Sequence, residues 1–221
     1  MTYPRSDESA YDRPGRATRP RGDARRRQIL DAAVNLFAAR GFNDVGIAEI
    51  ANAVGITQAG LLHHYPTKAA LLLAVLQERE NRVAAEQARR QAETGDFIAA
   101  FLHILRGNEK GPGLVQLFAV LSAESLSATH PGHEWFVERY ETVIADAARD
   151  LSEMIDESKL PPGVTVETIA RWLHGLADGL RIQWLLDPSA LNRHETVAQF
   201  AELLRPYLKR QETQWNDPTS S

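Results

Sequence analysis

From residue 24 onward, apolar side chains return every three or four positions, and no stretch alternates polar with apolar residues long enough to make a strand. That pattern confines the chain to an all-α fold. A 3.6-residue period lays one stripe against a core, whereas a half-buried sheet needs a period of two. Interruptions of the stripe then mark the elements. Ile29, Ala32, Ala33, Leu36 and Phe37 make a helix over residues 24–40, closed by Gly41. Ile47, Ile50, Ala51 and Val54 make a short second helix stopped by Gly55, and a third opens at Thr57. Thr67 caps a long helix reaching about Gln91, where Thr94-Gly95-Asp96 breaks it. Further helices are expected over 97–107, 113–128, 134–157, 166–186 and 195–209, parted by Pro and Gly clusters. The total is about nine helices, arranged as an N-terminal three-helix unit and a larger helical region.

Composition removes several function classes. With no cysteine among 221 residues there is no disulfide framework, thiolate metal site or cysteine nucleophile. Residues 1–23 hold Pro4, Pro14, Gly15, Pro20 and Gly22 among charged residues and little to bury, so a disordered basic tail is expected there. The longest apolar run, Ala69 to Leu76, is far below the ~20 residues that span a bilayer, so a cytoplasmic protein with no membrane partner is expected. Charge divides by region: residues 1–68 carry 10 Lys plus Arg against 7 Asp plus Glu, while the remainder carries 15 against 22. Contact with a polyanion therefore belongs to the first third.

That first third also has the spacing of a helix-turn-helix. Ala51 is small where a second helix crosses, Gly55 permits the positive φ of a tight turn, and Ile50, Val54, Ile56 and Leu61 form the wedge between helices. The third helix is left exposed, able to present its N-terminal residues to base edges in a major groove. The stretch from Phe37 to Leu71, FAARGFNDVGIAEIANAVGITQAGLLHHYPTKAAL, resembles the DNA-binding domain of the TetR (tetracycline-repressor) family of transcriptional regulators. A second stretch, GLADGLRIQWLLDP from Gly175 to Pro188, is similar to a segment of that family's regulatory domains. Three departures from the family pattern stand out: Gly46 stands for a hydroxyl residue, Leu62 for a tyrosine, and Ala59-Gly60 for Gly followed by Thr or Ala.

The resemblance implies a DNA-binding domain over 24–68 and a ligand-binding and dimerisation domain over 69–212. It places Thr57 at the recognition-helix N-cap, Gln58, Ala59 and Gly60 toward bases, and His64 and Lys68 toward phosphates, with His63 a further contact. Gln58 can pair with adenine in bidentate fashion, and Ala59 can meet a thymine methyl. Arg25, Arg26 and Arg27 read as part of a flexible basic arm. Partners are then a double-stranded DNA operator, a second copy of the chain and an unidentified small-molecule effector, with no cofactor. The alternative is an all-α small-molecule-binding protein or enzyme in which the first helices are merely structural.

Two expectations concern the acidic remainder. On the helix over 166–186, Leu173, Leu176, Leu180 and Trp184 fall on one side, and Trp172, Gly175, Gly179 and Ile182 on another. Two apolar faces call for a two-fold partner, with Val197, Phe200 and Leu204 of the last helix completing the dimer interface. A ligand pocket is expected within 95–186. Phe101, His103, Leu105, Phe118 and Leu121 are candidates for its wall, as are Trp135, Tyr140 and Trp172, and Glu124 is a buried carboxylate awaiting a partner. His130, His133 and Glu134 lack the common face that a metal site needs. No phosphate loop or nucleophile elbow occurs, so no catalytic residue is named.

Overall fold

The computed structural model describes residues 20–109 and 111–209, and most of the expected tail lies outside them. Nine α-helices run through the described residues: α1 (Pro20–Arg40), α2 (Ile47–Ala53), α3 (Gln58–His64), α4 (Lys68–Thr94), α5 (Phe97–Glu109), α6 (Pro112–Glu124), α7 (His133–Met154), α8 (Val166–Leu186) and α9 (Arg193–Glu202). Thr57, Thr67, Thr165 and Asn192 each cap the following helix by accepting a backbone N–H, satisfying a donor that has no intrahelical partner. At Gly46, which caps α2, no side-chain acceptor exists. Gly41 and Gly55 take φ of +78° and +68°, the left-handed region that their turns require.

Three boundaries differ most from expectation. Residues 20–23, assigned to the tail, are helical: proline is tolerated in a first turn, where its missing N–H has no partner anyway, and Asp23 complements the helix dipole. The sixth helix ends at Glu124, before the apolar Leu126 and Ala128 that prolonged its stripe, and Leu126 is exposed. There the chain turns instead around His130, whose Nδ1 lies 2.9 Å from Ser125 Oγ and accepts from Gly132 N. The last helix stops at Glu202. Pro206 lacks the N–H to continue it, so a single 3-10 turn (Arg205–Tyr207) follows and Leu208 bridges back to Ile155.

One core gathers Ile29, Phe37, Ile50, Leu61 and Leu72 with Leu117, Phe118 and Leu121, so α6 lies directly against the N-terminal helices. The first half of α4 belongs to this core. A second core joins α7, α8 and the start of α5 through Phe97, Ile144, Leu151, Ile169 and Leu173. A smaller one holds Leu105, Ala177, Leu180 and Val197.

Candidate nucleic-acid interface and inner cavity

Ile50, Ala51 and Leu61 are fully buried where α2 and α3 cross, and Tyr65 nearly so. The opposite face of α3 exposes Gln58, Ala59 and His63, with Gly60, Leu62 and His64 half-buried. Thr57 Oγ1 accepts the Gly60 N–H at 3.0 Å, and a Cβ on Gly60 would stand 3.2 Å from that same oxygen. A larger residue would crowd the cap. His64 titrates below the usual histidine range, first through burial and then through the charges of His63, Arg26 and Arg25.

The basic cluster is not a flexible arm. Arg25, Arg26 and Arg27 lie on α1, and Arg25 Nη1 donates to Val54 O at 3.2 Å, satisfying a carbonyl at the end of α2. Arg26 lies 5.4 Å from the Tyr65 ring centre, and Arg26 and Arg27 are exposed. Arg40 pairs with Glu49, tying the end of α1 to α2. Lys68, expected to face phosphate, is half-buried and turned toward the protein. Its Nζ donates to Asn43 O at 3.3 Å and sits 4.3 Å over the Phe42 ring, and burial lowers its pKa.

Glu124 does not enter a pocket. Its carboxylate accepts from Phe42 N at 2.7 Å and from Asn43 N and Nδ2 at 3.4 and 3.2 Å, in the turn after α1. The positive φ favours glycine at position 41, and a Cβ there would stand 2.5 Å from this carboxylate and displace it. The ring of His130 packs edge-on to Phe42, with Nε2 4.0 Å from Glu124 Oε2. Charged hydrogen bonds from the end of α6 therefore hold the loop that enters α2.

A cavity of about 460 Å³ lies among α4, α5, α7 and α8, lined on its apolar parts by Val83, Phe97, Phe101, Ile104 and Val143. Of the wall residues expected from sequence, only Phe101 lines it. Leu105, Phe118 and Leu121 are buried in the packed cores, and Trp172 is 47% exposed. His103 Nε2 is 2.8 Å from Glu86 Oε1, Trp135 Nε1 reaches Gln77 Oε1 at 3.5 Å, and Tyr140 Oη donates to Asp178 Oδ2 at 2.6 Å. Their rings serve surrounding contacts.

The cavity's polar lining was missed. Arg79 of α4, Arg139 of α7 and Arg181 of α8 reach it and converge on the Phe118 ring, at 3.9, 4.7 and 5.1 Å from its centre. Glu80 Oε2 accepts from Arg139 Nε at 2.8 Å, and Asp178 Oδ1 lies 3.3 Å from Arg181 Nη2. Burial first, then the charges of Arg139 and Arg181, pull the Arg79 pKa down to about 10. The signal was the polar arc of α8, His174, Asp178 and Arg181, which in one dimension looks the same as a solvated face.

On α8, Trp172, Gly175, Gly179 and Ile182 are exposed along one stripe that Leu186 extends, and nothing lies within 4 Å of a Cβ added at either glycine. Part of the expected dimer surface is excluded, because Val197 is fully buried and Leu204 is 5% exposed inside the chain's own cores. Phe200 packs on the same core. These C-terminal side chains face inward because they are needed to close the α5–α8 layer.

Comparison with known proteins agrees with this architecture. The family model described as bacterial regulatory proteins, tetR family, matches residues 29–75, and that of the BetI-type transcriptional repressor C-terminal region matches 99–209, just over half of the chain. HTH-type transcriptional repressor Rv1474c of Mycobacterium tuberculosis is 32% identical over 48% of this chain, a match spanning 63% of that relative. The regulator AcrR of Shigella flexneri is 23% identical over 87% of this chain and 94% of its own length. Among solved structures, a transcriptional regulator from Saccharomonospora viridis in complex with choline superposes with a TM-score of 0.68 at 19% identity, covering 85% of this chain and all of that one.

Proposed function

The chain belongs to the tetR family of bacterial regulatory proteins, and from that premise we propose that it is a repressor binding a palindromic operator as a homodimer, released by a small molecule in the inner cavity. DNA-binding transcriptional regulation is the activity of the family. The observation that carries the finer reading is α3 itself, which buries Leu61 against α2 while exposing Gln58, Ala59 and His63 in a row suited to a major groove. Gln58 reads an adenine and Ala59 a thymine methyl, with Gly60 keeping the backbone close. Arg26, Arg27, Thr57, His63 and His64 flank phosphates, and Lys68 supports the loop before α2 as well as adding positive potential.

Dimerisation uses the exposed stripe of α8, where Gly175 and Gly179 admit a close helix and Trp172 and Ile182 supply apolar area. A ligand in the cavity works through α6, whose Leu117 and Leu121 pack in the N-terminal core and whose Glu124 holds Phe42. A shift of α6 then alters the separation of the two recognition helices, by differential affinity for two states. The test is a mobility shift with DNA upstream of the chain's own gene. Wild type retards one fragment selectively, whereas Gln58→Ala loses preference at one base position by about 1–3 kcal/mol. Sedimentation of Gly179→Arg yields monomers against a wild-type dimer; a monomeric wild type at micromolar concentration refutes the dimer.

A further inference from the structure

We propose that the inner cavity selects an organic anion, a carboxylate carried on an apolar body, with the carboxylate seated by Arg79, Arg139 and Arg181. This rests on the regulator reading and deepens it by naming the class of effector. Three guanidinium groups converge on one phenylalanine ring, while the carboxylates among them are Glu80 and Asp178. Both are already engaged, Glu80 by Arg139 and Asp178 by Tyr140 and Arg181. At the cavity's outer part, Arg149 lies 2.7 Å from Asp146 and 3.3 Å from Asp150, so the positive excess is confined to the inner end.

The donors point to the same class. Arg79 is 8% exposed and Arg181 6%, yet Arg79 Nη1 and Arg181 Nε make no hydrogen bond, with Glu80 Oε2 3.6 Å from the former. The Gln87 Nε2 on the same wall is also without a partner. Buried donors in this condition are costly, and a planar guanidinium is shaped to give two parallel bonds to a carboxylate. The depressed Arg79 pKa reflects burial first and then the charges of Arg139 and Arg181, and a bound anion would offset the latter. A volume of about 460 Å³ exceeds what an inorganic anion needs, and the stacked Phe97 and Phe101 rings with Val83 and Ile104 give an apolar body its contact. The cation choline, bound by the Saccharomonospora viridis regulator, carries the opposite charge.

The test uses the full chain and three probes below their micellar concentrations: decanoate, 1-decanol and decyltrimethylammonium, measured by calorimetric titration. Decanoate is expected to bind at least about tenfold more tightly than 1-decanol, the worth of a charge-assisted hydrogen bond, and the ammonium probe more weakly than either. Arg79→Met and, separately, Arg139→Gln, each checked for folding by circular dichroism, abolish the preference for decanoate over decanol. If one variant does not fold, the other decides. Equal affinity for decanoate and decanol, preference for the ammonium, no decanoate binding up to its micellar concentration, or full discrimination retained by a folded variant overturns the proposal. A mobility shift of the unliganded wild type separates the two readings. DNA binding without decanoate selectivity removes the anion site alone, and selectivity without DNA binding removes the regulator reading alone.

Discussion

The N-terminal helices and the layer formed by α4, α5, α7 and α8 use the same helical periodicity yet bury different chemistry. Among the described residues, the buried polar and charged side chains are Arg79, Ser125, His130, Arg181 and Arg193, all beyond the recognition helix. The helix-turn-helix instead closes on Ile29, Phe37, Ile50 and Leu61. Its function lies on the outside, so its inside is free to be a plain apolar core that holds α3 rigid. The second region keeps charge inside at a cost in desolvation, and in the proposed function that cost belongs to the ligand site.

Stability should divide along this line. Phe37→Ala removes a fully buried ring from the first core and is expected to cost about 3–5 kcal/mol. Arg79→Met should be close to neutral, because it removes a crowded buried charge while Glu80 keeps Arg139. Chemical denaturation of both variants checks this; equal losses would dissolve the distinction. A smaller effect tests the seam between the regions. Glu124→Ala deletes the acceptor of Phe42 N and Asn43, with an expected loss of about 1–3 kcal/mol and weaker DNA binding as the loop before α2 loosens. Wild-type DNA affinity in that variant would show that the seam does not transmit.

The smallest effect is a pH dependence. Burial, the largest cause in each case, holds His130 and His174 below the ordinary histidine pKa of about 6.5, so the unfolded chain binds more protons in that range. Their contribution to stability is complete above about pH 6.5 and declines as pH falls through the folded values. Melting temperature should therefore drop modestly from pH 7 to 5.5, less so in His174→Gln, and a rise on acidification would contradict the assignment.

Local pattern made the helix-turn-helix legible, because every residue of its wedge lies within fifteen positions and each has a steric reason for its type. Thr57, Thr67 and Gly55 signalled their caps and turn directly. Glu124 stood out as a carboxylate on an apolar helix, but its partners lie 81 and 82 residues earlier, and no periodicity encodes that contact. The cavity was least legible. Aromatic size suggested its wall, whereas packing density placed Phe118 and Leu121 in a core and left the lining to long arginines from three helices. Likewise, the inward stripe of α9 looked available for a partner until α5 and α8 were seen to occupy it.

In the proposed function the exposed face of α3 binds duplex DNA through a basic N-terminal surface. Fluorescence anisotropy on a labelled upstream fragment, titrated at salt concentrations from about 50 to 200 mM, tests it most directly. Tight binding at low salt is expected, with a linear fall of log affinity with log salt and a loss of several orders of magnitude if roughly 6–10 phosphates are contacted. Affinity that is absent at low salt, or indifferent to salt, would contradict it.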